Sequence, residues 1–398
     1  MHARAILVMV VTGLGAGCGG GTASSDGQPP PDSRALPDGP AGCARSPAPA
    51  DRARHVVVSH PYDAAGERSG QYEVLDLSPT GALTRPGRTF TMGRATSGTI
   101  AFTPDGDVGL LALEDGTLGV FRIDAAGTPT VVHAGFAGSF HASRVVVDPR
   151  GDRALVLDGN WREHGGGIYL VTIACDGTLT DHGLLAAAKL PGALAFAGTR
   201  AVLAAHDVLD SPTTGHDVHL LGWGDSPAVV AGVDAFGDDL QIVGGAALTP
   251  DGATFLVGDT SQFGDVPNGV AVVAITGTGL APAGRIAVED PAAIAASPFG
   301  NVAVVASAFG DALVVLDTGG AGGAWRVRGE VPYAGADPQL PGELASIERG
   351  ALRGHVFVAE NVSVRHLAFR DTGAVDDLGS LAFGMGLANI SGAIGVTP

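Results

Sequence analysis

Ser97-Gly98-Thr99-Ile100-Ala101-Phe102-Thr103-Pro104-Asp105-Gly106 runs a short apolar segment into a tight turn, and Val108 to Leu113 carries the chain out again. Proline presets φ and glycine accepts positive φ, so Pro104-Asp105-Gly106 reads as the reversal of a hairpin. A second reversal at Glu114-Asp115-Gly116 leads into Leu118 to Ile123. The same turn recurs at Pro149-Arg150-Gly151, Pro250-Asp251-Gly252 and Pro298-Phe299-Gly300. Looser copies fall at Ala197-Gly198-Thr199 and Glu348-Arg349-Gly350.

The marking glycines 106, 151, 198, 252, 300 and 350 are spaced 45, 47, 54, 48 and 50 residues apart. That spacing is the length of one four-stranded propeller blade. The chain stops at Ser391-Gly392-Ala393-Ile394-Gly395-Val396-Thr397-Pro398, which repeats Ser97 to Pro104 at five of eight places and ends where a turn should begin. Arg54 to Ser59 reads as the strand that should follow such a turn. The two ends therefore complete one blade between them. The expected fold is all-β, a seven-bladed β-propeller over residues 51–398, closed by the C-terminal strand so that no ring edge is left open.

Thr103-Pro104-Asp105-Gly106 with Gly116-Thr117-Leu118-Gly119-Val120-Phe121, and Thr249-Pro250-Asp251-Gly252 with Gly269-Val270-Ala271-Val272, resemble the seven-bladed lactonase-like or YVTN-type propellers. The resemblance spans residues 51–398 and implies the fold. Its motifs hold turns and strands, so hydrolytic activity does not come with them. The sequence has no WD dipeptide, no kelch Gly-Gly signature and no tryptophan-docking repeat, which sets those propeller families aside.

Composition narrows the partners. Of 398 residues, 41 are acidic and 23 basic, a formal charge of −18, and Lys189 is the only lysine. Nucleic acid is excluded as an expected partner. Residues 1–17 carry His2 and Arg4 and then a short apolar run, the pattern of a signal peptide. Leu14-Gly15-Ala16-Gly17-Cys18 resembles the lipobox of bacterial lipoproteins, with Gly15 in place of the usual aliphatic residue. The resemblance implies a lipid on Cys18. Residues 18–50, rich in Gly, Pro and Ser, then read as a tether. Gly19 and Gly20, where an acidic residue would favour inner-membrane retention, point to the outer membrane. With Cys18 acylated, Cys43 and Cys175 remain, and an exported chain invites a disulfide between them. Metal binding by thiolates has no spacing to support it.

Loop lengths nominate a face. Connections between first and second and between third and fourth strands are short, whereas the loops from His60 to Gly70, Asp158 to Gly167, His206 to Asp217 and Asp259 to Gly269 are long and polar. Binding residues concentrate on such loops. The candidates there are Asp158, Asn160, Trp161, Arg162, Glu163 and His164, with His60, Tyr62, Asp63, His206, Asp207, His216, Asp265 and Asn268. Inner-strand starts add His141, Arg144, Gln241 and Glu343 at the mouth of the axial channel. Imidazoles and carboxylates perform acid–base work or bind divalent metal, yet no coordination spacing is matched, so no cofactor and no metal site is expected. The sequence has no Gly-x-Ser-x-Gly elbow and no Walker loop, and no dinucleotide fingerprint falls on a strand-to-helix unit, the glycine cluster from Gly13 to Gly21 belonging to the signal and tether. The expected function is a monomeric, lipid-anchored binding or interaction module that touches the membrane only through its lipid and presents its long-loop face to an envelope protein or a glycan. The alternative is a lactonase-like hydrolase of a small cyclic ester.

Overall fold

The computed structural model describes residues 43–398 apart from residues 44, 50–51, 64, 97, 161–164, 206–215, 225–226, 237–242, 261–267, 278, 309, 311, 321–322, 334–342, 361 and 384–391. The candidate residues Trp161, Arg162, Glu163, His164, His206, Asp207, Gln241 and Asp265, and the lipidation candidate Cys18, lie outside the described residues. All regular structure among the described residues is β, in seven antiparallel meanders. Among the described residues, no helix is long and apolar enough to cross a membrane.

Blade 1 consists of Leu83–Thr91, Arg68–Leu77 and Arg54–Tyr62, with Ala393–Val396 as its fourth antiparallel strand. Blade 2 runs from Ala101–Phe102 through Val108–Ala112 and Leu118–Ile123 to Pro129–Phe136, and blade 3 from Ala142–Val147 to Leu179–Ala186. Blades 4 to 7 begin at Pro191–Ala197, Val243–Leu248, Pro291–Ala296 and Leu344–Ser346. The closure read from the sequence is present: Val56 pairs with Val396, Val57 with Gly395 and Val58 with Ile394. The inner strand of blade 2 is split. Gly98–Thr99 pairs in parallel with Ala393 and Ile394, and only Ala101–Phe102 joins its own blade. A Cβ on Gly395 would sit 2.4 Å from the Ile100 carbonyl oxygen, so glycine is required where these strands cross.

Strand alternation explains the ring. Successive side chains point to opposite faces, and both faces of every blade are covered. Val56 and Val58 pack against blade 7, whereas Val57 packs against blade 2. Leu155 and Leu157 face blade 4, whereas Ala154 and Val156 face blade 2. Seven apolar clusters result, one for each pair of adjacent blades, including the pair that joins the chain ends. Five of the six marking glycines hold the left-handed φ that the turn demands, and Gly300 is the exception. In two of the turns a threonine hydroxyl donates to the aspartate two residues on, Thr103 to Asp105 at 2.5 Å and Thr249 to Asp251 at 2.6 Å.

A strap crosses the short-turn face. The disulfide Cys43–Cys175 fixes its start to blade 3. Arg45 donates to Asp105 and to the Ala174 carbonyl at 2.7 and 2.8 Å, and Ala48 N donates to the Pro104 carbonyl at 2.8 Å. Arg52 then pairs with Asp107 at 2.6 Å. The end of the stretch expected to be tether is thus laid on the propeller. The disulfide spans 132 positions, and a loop of that size lowers denatured-state entropy by an idealised contribution of roughly 5 kcal/mol.

Candidate functional site

Inner strands line the axial channel, so their first residues set its chemistry. Arg144 lies in the inner strand of blade 3 and Glu343 just ahead of the inner strand of blade 7. These blades stand nearly opposite in the ring. Their side chains meet across the channel, with Arg144 Nη2 3.2 Å from Glu343 Oε2. Glu343 is 5% exposed. Burial pushes its carboxyl pKa above the usual carboxylate range, while the Arg144 charge and the Leu344 N–H work against that rise. Around Arg144 the wall is neutral and hydroxylic, with Thr96, Thr99 and Ser143 beside Gly98 and Ala393. Ser143 Oγ donates to the Leu157 carbonyl at 2.8 Å and accepts from Gly159 N at 3.0 Å.

Of the acidic loop-face candidates, Asp158 and Asp63 lie among the described residues, and both hold backbone. Asp158 is fully buried at the end of the second strand of blade 3, where it accepts from His141 N at 2.9 Å and Asn160 N at 2.8 Å. The equivalent ends of blades 5 and 7 carry Asp259, paired with Arg285, and Glu360, which accepts from Ser363 Oγ at 2.7 Å and pairs with Arg365 at 3.3 Å. Asp63 caps its own turn by accepting from Ala65 N and Glu67 N at 2.8 and 2.9 Å. Asn268 donates to Asp290, whose pKa is raised by burial and by Glu289. Tyr62 stands opposite Arg68 at the rim of blade 1.

The imidazoles separate into different neighbourhoods. His60 lies 3.1 Å from Glu73, which takes two hydrogen bonds from Arg85 at 2.9 and 2.8 Å. Burial lowers the His60 pKa, Glu73 raises it and Arg85 lowers it further. The His141 ring covers Gly116, where a Cβ would lie 2.2 Å from its Nδ1. His216 stands beside His219 on blade 4, with ring centroids 6.3 Å apart. Among the described residues, no group of three or more His, Cys, Asp or Glu side chains is arranged to hold a metal ion.

One titrating group sits where the sequence offered no sign of it. Asp217 is buried and accepts from Ala235 N at 3.1 Å and Phe236 N at 3.0 Å in the link to blade 5. Burial first, then the neighbouring Asp234 carboxyl, push its pKa up to about 7 against the Phe236 and Ala235 N–H groups. The native state therefore binds more protons than the unfolded chain between the ordinary carboxylate pKa and about 7, and stability falls as pH rises through that window. Asp217→Asn is expected to gain on the parent by roughly 2–4 °C in Tm between pH 5 and pH 8. Parallel melting curves across that range would exclude the effect.

The comparisons agree on the fold. The chain is similar to the periplasmic gluconolactonase of Pseudomonas aeruginosa, with a TM-score of 0.61 and 14% identity over 87% of this chain and 99% of that one. A putative 6-phosphogluconolactonase from Bacteroides uniformis superposes at 0.59 with 12% identity, over 86% of this chain and 99% of that one. A third, from Bacteroides fragilis and described in the same terms, gives 0.57 and 11% over 89% and 100%. No family model and no curated protein sequence matches the chain.

Proposed function

We propose that this propeller hydrolyses a small cyclic ester, a sugar lactone, at the mouth of its axial channel. The observation that carries the reading is the buried Glu343 facing the Arg144 guanidinium across the channel at 3.2 Å. Fold likeness to propellers described as lactonases adds support. In this reading Arg144 hydrogen-bonds the ester carbonyl oxygen and stabilises the negative charge that develops there. A carbonyl that takes over part of the Arg144 hydrogen bonding leaves Glu343 without its counter-charge and more basic. Glu343 then accepts a proton from the attacking water. The ring C–O bond breaks and the same proton passes to the leaving oxygen, giving the open hydroxy acid.

The test is acid release from glucono-δ-lactone by the full chain, measured over spontaneous hydrolysis and repeated with Glu343→Gln. Turnover that the substitution abolishes is expected; release no faster than the uncatalysed background would end the proposal. A second reading, a docking module for an envelope protein or glycan, is favoured by the ion pair itself, since Arg144 and Glu343 are already paired with each other across the channel. It requires no turnover by the parent, so the same assay separates the two.

A further inference from the structure

Beyond its disulfide, the strap on the short-turn face is held to the propeller by polar contacts. Arg45 donates to Asp105 and to the Ala174 carbonyl, Ala48 N to the Pro104 carbonyl, and Arg52 to Asp107 and to the Asp105 carbonyl. None of its described residues belongs to any of the seven apolar clusters, and Ser46, Pro47 and Pro49 are exposed. Ion pairs and single hydrogen bonds at a surface return little against the entropy of ordering a segment of this length. The Arg45 side chain is 2% exposed, and its Nε is buried with no hydrogen-bond partner, which adds to the cost of holding it down. The covalent bond at the far end therefore keeps the strap in place. Reagents in solution can reach that bond, because Cys175 is exposed in the turn between the third and fourth strands of blade 3.

We infer that residues 43–52 form a latch that a dithiol reductant opens, and that the latch sets where the N-terminal part of the chain joins the ring. Closed, the residues ahead of Cys43 are fixed to blade 3 through Cys175. Open, they join the ring only where Arg54–Tyr62 of blade 1 begins. The change releases roughly 30 Å of extended chain. It also acts on orientation, because Arg144 and Glu343 stand at the starts of inner strands, at the opposite end of the channel from the short turns that carry the strap. The closed latch turns the channel mouth away from the point of attachment, and the open one lets the ring reorient and uncovers Asp105 and Asp107. In the reaction a thiolate of the reductant attacks Cys175 Sγ and Cys43 Sγ leaves as a thiolate; the second thiol of the reductant then displaces Cys175. The protein gains two electrons and two protons, and the reductant becomes a disulfide. None of this depends on the lactone reading.

The experiment is limited trypsin digestion of the full chain, oxidised and after treatment with dithiothreitol, with the cut sites read by mass. Trypsin must take an arginine side chain into its own pocket, so cleavage between Arg45 and Ser46 reports directly on whether the strap is down. The oxidised chain is expected to resist there. Reduction is expected to speed that cleavage by at least about tenfold, since the strap loses the effective concentration that kept it docked. The ring should stay whole, with the bonds after Arg153 and Arg365, which are 6% and 5% exposed, uncut. A Cys43→Ser, Cys175→Ser double variant should be cut after Arg45 without reductant and be indifferent to it. Equal cleavage after Arg45 in the oxidised and reduced chains, or a double variant that still responds to dithiothreitol, would overturn the inference. Cleavage that spreads to Arg153 and Arg365 on reduction would overturn it too, because the disulfide would then hold the ring together and not a latch.

Discussion

A chain shortened by residues 392–398 is expected to leave the soluble fraction and to lack the far-UV signature of the β-ring. The missing segment is a small part of the sequence, but it is the innermost strand of blade 1. Ile394 and Val396 belong to the cluster between blades 7 and 1, and Ala393 to the cluster between blades 1 and 2. Burial of the two larger side chains contributes about 1.5–3 kcal/mol each. Ile394 O also accepts from Ile100 N at 2.9 Å, and Thr397 exchanges backbone and side-chain bonds with His55 at 2.9 Å. Ala393 N donates to Ser59 Oγ at 2.8 Å, and the Thr397 carbonyl accepts from Arg54 at 3.1 Å. At about 1 kcal/mol for each bond, the total approaches the roughly 5–15 kcal/mol by which a domain is stable at all. Ile394→Ala provides the graded version, with an expected loss of about 2–5 kcal/mol and the fold retained. A truncated chain that melts like the parent would show that the C-terminal strand does not close the ring.

That closure was legible because it rests on a local pattern repeated at a fixed period. Thr397-Pro398 copies Thr103-Pro104, and a half-finished turn at one end of a chain needs a strand from the other end. The Cys43–Cys175 disulfide was legible for a different reason, since removing Cys18 from the count leaves one pair. The proposed site was legible only by position. Arg144 and Glu343 could each be placed at an inner-strand start, but their pairing depends on how seven blades close and which residues then stand opposite. Asp158 shows what spacing does not reveal. An aspartate beside a long polar loop looks like a ligand, yet this one ends a buried strand and its oxygens accept the N–H groups of His141 and Asn160. The acid–acid contact of Asp217 with Asp234 had no sequence signal, because burial and not spacing raises its pKa.

Replacing Arg144 with methionine is expected to produce the largest effect of any single change in the channel. Glu343 would then be buried without a counter-charge, and loss of one partner of a buried pair costs about 3–5 kcal/mol. The cost has a pH signature. Burial already raises the Glu343 pKa, and removing the guanidinium removes the one charge that opposes the rise. In the variant the folded chain would hold the Glu343 proton to higher pH than the unfolded chain does, so stability relative to the parent falls as pH rises above the ordinary carboxylate range. Melting at pH 5 and pH 8 should therefore differ more in Arg144→Met than in the parent. The double variant Arg144→Met with Glu343→Leu removes both charges, and an apolar pair of similar volume commonly restores or exceeds the stability of the ion pair it replaces. Activity must separate from stability for the proposed chemistry to hold. A missing general base costs about 10²–10⁴ in rate, so the stable double variant should hydrolyse no lactone. If the double variant recovers both its melting temperature and its turnover, the Arg144–Glu343 pair is a strut across the channel and takes no part in ester hydrolysis.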